Sequence, residues 1–176
     1  MSPPSFPERA RTRFSRVFCY VCGMAALLDE LFAIYRDADA LVAGWSCPAS
    51  TECCRFGITG REPYVTSLEL SALERALAGR GGLPRRASAR RGALPLAGRA
   101  ERRCPVLTAE GSCAAYDARP LGCRTFYCDR ATAGSKIRQR DVNALVRRIQ
   151  DLAARHAPGG DEGRPLTRAL TSARRP

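Results

Sequence analysis

The chain has 176 residues, 45% of them apolar and only 7% aromatic, which bounds it to one domain with a small, aliphatic core. Nine cysteines are too sparse for a secreted disulfide scaffold, and an odd number fits a full disulfide framework poorly. The net charge of +12 invites a polyanion partner, but all 29 basic residues except Lys136 are arginine, and alanine and glycine abound, which is how a GC-rich genome writes an ordinary surface.

Residues 1–16 are rich in proline, serine and arginine and read as disordered. The apolar run Val17–Leu28 behind them imitates a secretory leader. It runs straight into Asp29-Glu30 with no cleavage site, and it is too short to span a bilayer. Residues 1–23 are therefore read as a disordered N-terminal extension, with Met24 as the start of the working chain. A cytoplasmic location without a membrane partner is the expectation. A lone Cys19-x-x-Cys22 is a weak ligand signal, since most ligand sets need a second pair nearby.

Leu27, Leu28, Leu31, Ile34, Tyr35, Ala38, Leu41 and Val42 recur at spacings of three and four, which predicts a helix over 24–43 stopped by Gly44. A loop from Cys47 to Gly60 carries Cys47, Cys53 and Cys54. Thr66-Ser67-Leu68-Glu69 is a capping box and opens a helix over 67–78 that ends at Gly79. Residues 80–103 are rich in arginine and glycine and read as a mobile basic loop.

Cys104, Cys113, Cys123 and Cys128 then fall on a stretch broken by Pro105, Gly111, Pro120 and Gly122, so it cannot be one long helix. Strand signals are poor, with at most a short pair flanking Cys113. A helix near 136–156 presents Ile137, Val142, Leu145, Val146, Ile149, Leu152 and Ala153 on one face and stops at Pro158-Gly159-Gly160. Residues 158–176 read as a disordered tail. The expected fold is a mainly α, small, irregular, cysteine-rich and metal-stapled domain over 24–157, with about three helices and little strand.

The chemistry lies in the seven thiols beyond the extension: Cys47, Cys53, Cys54, Cys104, Cys113, Cys123 and Cys128. Zinc held as thiolates and an iron–sulfur cluster both use four such ligands on a turn-rich backbone; disulfides would need an oxidising compartment. Adjacent side chains diverge in extended backbone, so Cys53 and Cys54 are not expected to share one ion. Arg55, Arg119 and Arg124 lie near the thiols, where they would balance the charge of a metal–thiolate centre or stand as solvated surface. His156, the single histidine, reads as a surface or capping residue at a helix C-terminus. Glu52, Glu62 and Glu69 read as capping and surface residues rather than ligands. There is no phosphate loop, no dinucleotide fingerprint and no cysteine with an obvious base partner.

Taken together, Cys47, Cys53-Cys54, Thr59-Gly60-Arg61-Glu62-Pro63, Cys104-Pro105-x-Leu107, Gly111-x-Cys113-x-x-Tyr116 and Arg119-Pro120-x-x-Cys123-Arg124-x-Phe126-x-Cys128 resemble the YkgJ-type cysteine-cluster family. The resemblance covers about residues 45–130 and implies a zinc- or iron-chelating domain. Many members carry Cys-x-x-Cys-x-x-Cys-Cys in the first half; here Ser50 stands where the second cysteine would be, which leaves seven thiols. The resemblance implies a metal-binding protein of accessory or structural role, and its protein partner is not indicated. A related cysteine pattern in flagellin lysine methylases implies, as an alternative, an iron–sulfur-dependent redox or protein-modifying enzyme, with no catalytic residue assigned. Nucleic-acid binding through the arginines of residues 80–103 is a further alternative, and it predicts steep loss of affinity with salt.

Overall fold

A computed structural model describes residues 8–43, 51–84, 102–125 and 137–172, and for residues 8–22 the backbone alone. Cys47, Cys128 and residues 85–101 of the basic loop lie outside the described residues. The described chain is mainly helical, with one two-stranded sheet.

The first helix, α1, runs over Glu8–Ala40. It begins well before residue 24, so the helical backbone extends past the start expected at Met24. Residues 8–22 hold neither proline nor glycine, and Glu8 falls in the first turn, where a negative charge suits the helix dipole. Gly23 inside the helix costs only about 1 kcal/mol. From Met24 onward α1 packs as its periodicity predicts, burying Leu28, Leu31, Ile34, Tyr35 and Ala38.

This stripe meets three elements: α3 (Ser67–Ala78), the single turn α4 (Leu121–Arg124) and α5 (Gln139–His156). α5 buries Leu145, Ile149, Leu152 and Ala153, while Val146 stays exposed. Arg148 pairs with Asp37 (2.7 Å) and Arg155 with Glu30 across the solvent side of the α1–α5 seam. Such exposed pairs set orientation more than stability.

α3 lies between two cores. Leu68 and Ala72 face the α1–α5 side, and Leu73 and Leu77 face a second cluster with Phe56, Val65, Val106 and Leu166. Phe56 belongs to a short helix, α2 (Phe56–Thr59), and Val65 to strand β1 (Tyr64–Val65). β1 pairs antiparallel with β2 (Arg164–Pro165), which leads into α6 (Leu166–Ser172). The segment read as a disordered tail over 158–176 is thus structured over 164–172. Leu166, Ala169 and Leu170 share one helical face and are all buried. Seven residues are too few to give a helical signal in isolation, so the contact with β1 decides the state of this segment.

The capping box of α3 forms as expected: the Glu69 N–H donates to Thr66 Oγ1 and the Thr66 N–H donates to Glu69 Oε2 (3.0 Å). Its acid does more than cap. Glu69 is 2% exposed, and its Oε1 accepts the Leu121 N–H (2.8 Å) at the start of α4 and the Tyr35 hydroxyl (3.3 Å) of α1. Ser67, the next residue after the cap, ties in α5 and the following loop through the His156 ring (Oγ to Nδ1, 2.8 Å) and the Asp161 carboxylate (Oγ to Oδ2, 2.7 Å). The single histidine therefore sits at a helix C-terminus, as read from sequence, and is joined to the start of α3.

Among the described residues no helix is long and apolar enough to cross a membrane.

Two measurements check this architecture. Leu166→Ala, at a residue 1% exposed, is expected to lower stability by about 3 kcal/mol. Urea denaturation reads this, and a change within experimental error would mean that α6 is not part of the core. Burial raises the Glu69 carboxyl above its ordinary range. An acid raised in this way contributes fully below its unfolded-state value, and that contribution is lost as pH rises through the folded-state value. The stability of the parent relative to Glu69→Gln is therefore expected to fall as pH rises from about 4 and then level off. A difference independent of pH would show that the Glu69 carboxyl is not raised in the folded protein.

Candidate metal centre

Five of the seven candidate ligands fall within the described residues, and all five line one cavity of about 520 Å³: Cys53, Cys54, Cys104, Cys113 and Cys123. All five are free thiols. Cys47 and Cys128 lie outside the described residues.

Each thiol is set by local backbone. Thr51 adopts the left-handed conformation (φ 59°), unusual for a β-branched residue, and turns the chain into a 3-10 turn over Glu52–Cys54. In that turn consecutive side chains stand closer than in a strand. Cys53 Sγ and Cys54 Sγ are 3.8 Å apart, which corrects the expectation that the adjacent pair diverges. Cys104 joins them through backbone pairing: its N–H donates to the Cys54 carbonyl (2.7 Å), Gly57 N–H donates to the Arg102 carbonyl (3.0 Å), and Arg55 bridges Arg103 antiparallel.

Cys113 is returned by a tight hairpin-like turn in which Leu107 bridges Cys113, as the poor strand signal around this cysteine allowed. Ala114 N–H donates to the Val106 carbonyl (2.9 Å) and Thr108 N–H to the Ser112 carbonyl (2.8 Å). Gly111 (φ +80°) makes the turn. Cys123 rides on α4 behind Arg119-Pro120. At Gly122 an added Cβ would stand 2.9 Å from Pro63 Cβ, so only glycine lets α4 approach β1 this closely and carry Cys123 to the cavity.

The arginines divide their work. Arg124 is 7% exposed and serves the fold: its Nε–H donates to the Arg119 carbonyl (2.8 Å), its guanidinium pairs with Asp39 and the Asp117 carbonyl, and it stacks over the Tyr35 ring. Arg119 lines the cavity and lies over the Tyr116 ring, 3.7 Å from its centroid. Its charge favours the thiolate forms of Cys53, Cys113 and Cys123. The other wall of the cavity is apolar and includes Phe56, Leu73, Val106 and Leu166. Leu166 was out of reach of sequence reasoning because its helix is short; its spacing with Ala169 and Leu170 was the available signal.

Without a cation this arrangement disfavours thiolates. The hydrogen bond with Cys54, and then burial, raise Cys53 well above the ordinary thiol range. Cys54 is pushed up to about 12, chiefly by its hydrogen bond with Cys104. Burial raises Cys113 and Cys123, and the neighbouring sulfurs push Cys123 further. Among the described residues, no group of three or more histidine, cysteine, aspartate or glutamate side chains is already drawn together as a metal shell. The carboxylates read as caps act as caps: Glu69 on α3, and Glu62 through the Thr167 N–H (2.7 Å) at the start of α6.

No family model matches this chain, and neither does any curated protein or solved structure.

In the metal-free, reduced protein, Cys54 is expected to alkylate with iodoacetamide at pH 8 at least about a hundredfold more slowly than free cysteine. The rate should keep rising with pH towards 12, because only the thiolate reacts. Peptide mapping after timed quenching reads this directly, and a rate equal to that of free cysteine would contradict the buried, hydrogen-bonded placement.

Proposed function

We propose that this chain is a metal-binding protein of the YkgJ-type cysteine-cluster kind, taking Zn²⁺ or an iron–sulfur cluster through its thiols, in an accessory or structural role. The observation that carries the reading is the convergence of Cys53-Cys54, Cys104, Cys113 and Cys123, from separate stretches of the chain, on one cavity. Soft sulfur donors gathered in one partly buried cavity suit soft or borderline metals.

The donor set fits such a metal in two further respects. Sulfurs about 2.3 Å from a tetrahedral zinc stand about 3.8 Å from one another, and the Cys53–Cys54 separation of 3.8 Å matches that edge. The mutual penalty on thiolates in the cavity is also the penalty that a bound cation removes. When bound, the metal supplies positive charge and a fixed geometry to the site. Arg119 then offsets the remaining negative charge of the thiolates, and the apolar wall keeps water from the sulfurs. Cys47 and Cys128 belong to the proposed ligand set on sequence grounds.

Purification of the full chain without oxygen, followed by elemental analysis and an absorption spectrum, tests the proposal. Stoichiometric zinc in a colourless protein, or iron with visible charge-transfer absorption, is the expected result, and Cys113→Ser and Cys123→Ser are each expected to lose it. Chelation should lower the melting temperature by on the order of 10 °C, because metal binding couples to folding. A folded protein prepared in this way with no bound metal would refute the reading.

A further inference from the structure

The cavity is larger than an ion needs. Its volume of about 520 Å³ falls in the range that takes small organic molecules. Against its apolar wall stand two thiols in direct contact, Cys53 and Cys54, with Sγ atoms 3.8 Å apart, and Cys54 is also hydrogen-bonded to Cys104. From this juxtaposition we infer that the Cys53–Cys54 pair is a covalent site for monosubstituted trivalent arsenicals, compounds that carry one organic group on As(III).

The chemistry balances without an oxidant or reductant. An organoarsenic oxide, R–As=O, condenses with two thiols to give R–As(S–Cys)₂ and one water. Two As–S bonds form, the As=O bond and two S–H bonds break, both thiol protons leave on the oxygen, and arsenic stays trivalent. The two sulfurs must approach one atom from neighbouring positions, which the 3-10 turn over Glu52–Cys54 provides and an extended Cys-Cys would not. The third valence of arsenic carries the organic group, and Phe56, Leu73, Val106 and Leu166 offer it an apolar surface. Inorganic arsenite lacks that group and completes its valence with a third sulfur. The apolar surface gives arsenite nothing to bury. The site therefore selects for the organic form.

This inference is separate from the metal reading. It requires Cys53 and Cys54, whereas the metal reading also requires Cys113 and Cys123. The test uses the full chain, reduced and kept without oxygen, treated with phenylarsine oxide at equimolar concentration, before and after chelator. Intact-mass measurement is expected to show one phenylarsenic group added and two hydrogens lost, with two thiols protected from a thiol reagent and released by ethanedithiol. Cys53→Ala and Cys54→Ala are each expected to abolish stable labelling, and Cys113→Ala and Cys123→Ala to retain it, with circular dichroism confirming that each variant is folded.

Arsenite in place of phenylarsine oxide is expected to be held at least about tenfold more weakly, because it buries no apolar group. Labelling that survives in folded Cys53→Ala or Cys54→Ala protein overturns the inference. So does failure of the parent to label after chelation, or equal retention of arsenite and phenylarsine oxide. Metal content measured on the same samples reports separately on the metal reading.

Discussion

A single buried carboxylate holds the described parts of this protein in register. Glu69 accepts from the Thr66 N–H and hydroxyl, from the Tyr35 hydroxyl and from the Leu121 N–H. One side chain thereby joins the start of α3, the C-terminal part of α1 and the start of α4. An acid taken out of water survives only when its lone pairs are filled, and removing one partner from such a set leaves an uncompensated group in a low-dielectric interior. Arg124 supplies the complementary cation nearby, stacked on the same Tyr35 ring and paired with Asp39. The turn that carries Cys123 is tied to Glu69 at its first residue and ends on Arg124.

The thiol cavity depends on this frame because little regular structure surrounds it. Cys53, Cys54, Cys104 and Cys113 sit on turns and isolated bridges held by a few backbone hydrogen bonds. The floor beneath them is the second core, to which α3, β1 and α6 contribute. Leu73 and Leu166 belong both to that core and to the cavity wall, so the packing of the C-terminal segment and the shape of the site are one problem. Such a site has enough support to bring thiols together.

The arginines near the thiols show how neighbouring residues in the chain part ways in space. Arg119 and Arg124 are five residues apart and looked alike as candidates for balancing a metal–thiolate charge. Both reach Asp39 of α1, but Arg119 does so only at 3.9 Å and lies over Tyr116 at the cavity, whereas Arg124 is buried on the Tyr35 ring and is consumed by the fold. The half-turn between them is set by Pro120 and by the approach of Gly122 to Pro63, neither of which has a periodic signature. Likewise the 3-10 geometry that brings Cys53 and Cys54 into contact follows from the left-handed Thr51, a conformation for which threonine has no preference.

What the amino-acid sequence determined alone is what short-range physics controls. The apolar periodicity of residues 27–42 and 142–153 specified two packing faces. The Thr66–Glu69 capping box specified where α3 begins, and the broken stretch from Cys104 onward specified turns with thiols on them. Tertiary structure decided the rest. It made β2 and α6 out of a segment with no adequate signal of its own, because Leu166, Ala169 and Leu170 gain their stability only from burial against residues about a hundred positions earlier. It also turned a capping glutamate into the junction of three helices and walled one cavity with five scattered thiols. Contacts between distant residues leave no local pattern, since their free energy exists only once the chain has brought them together.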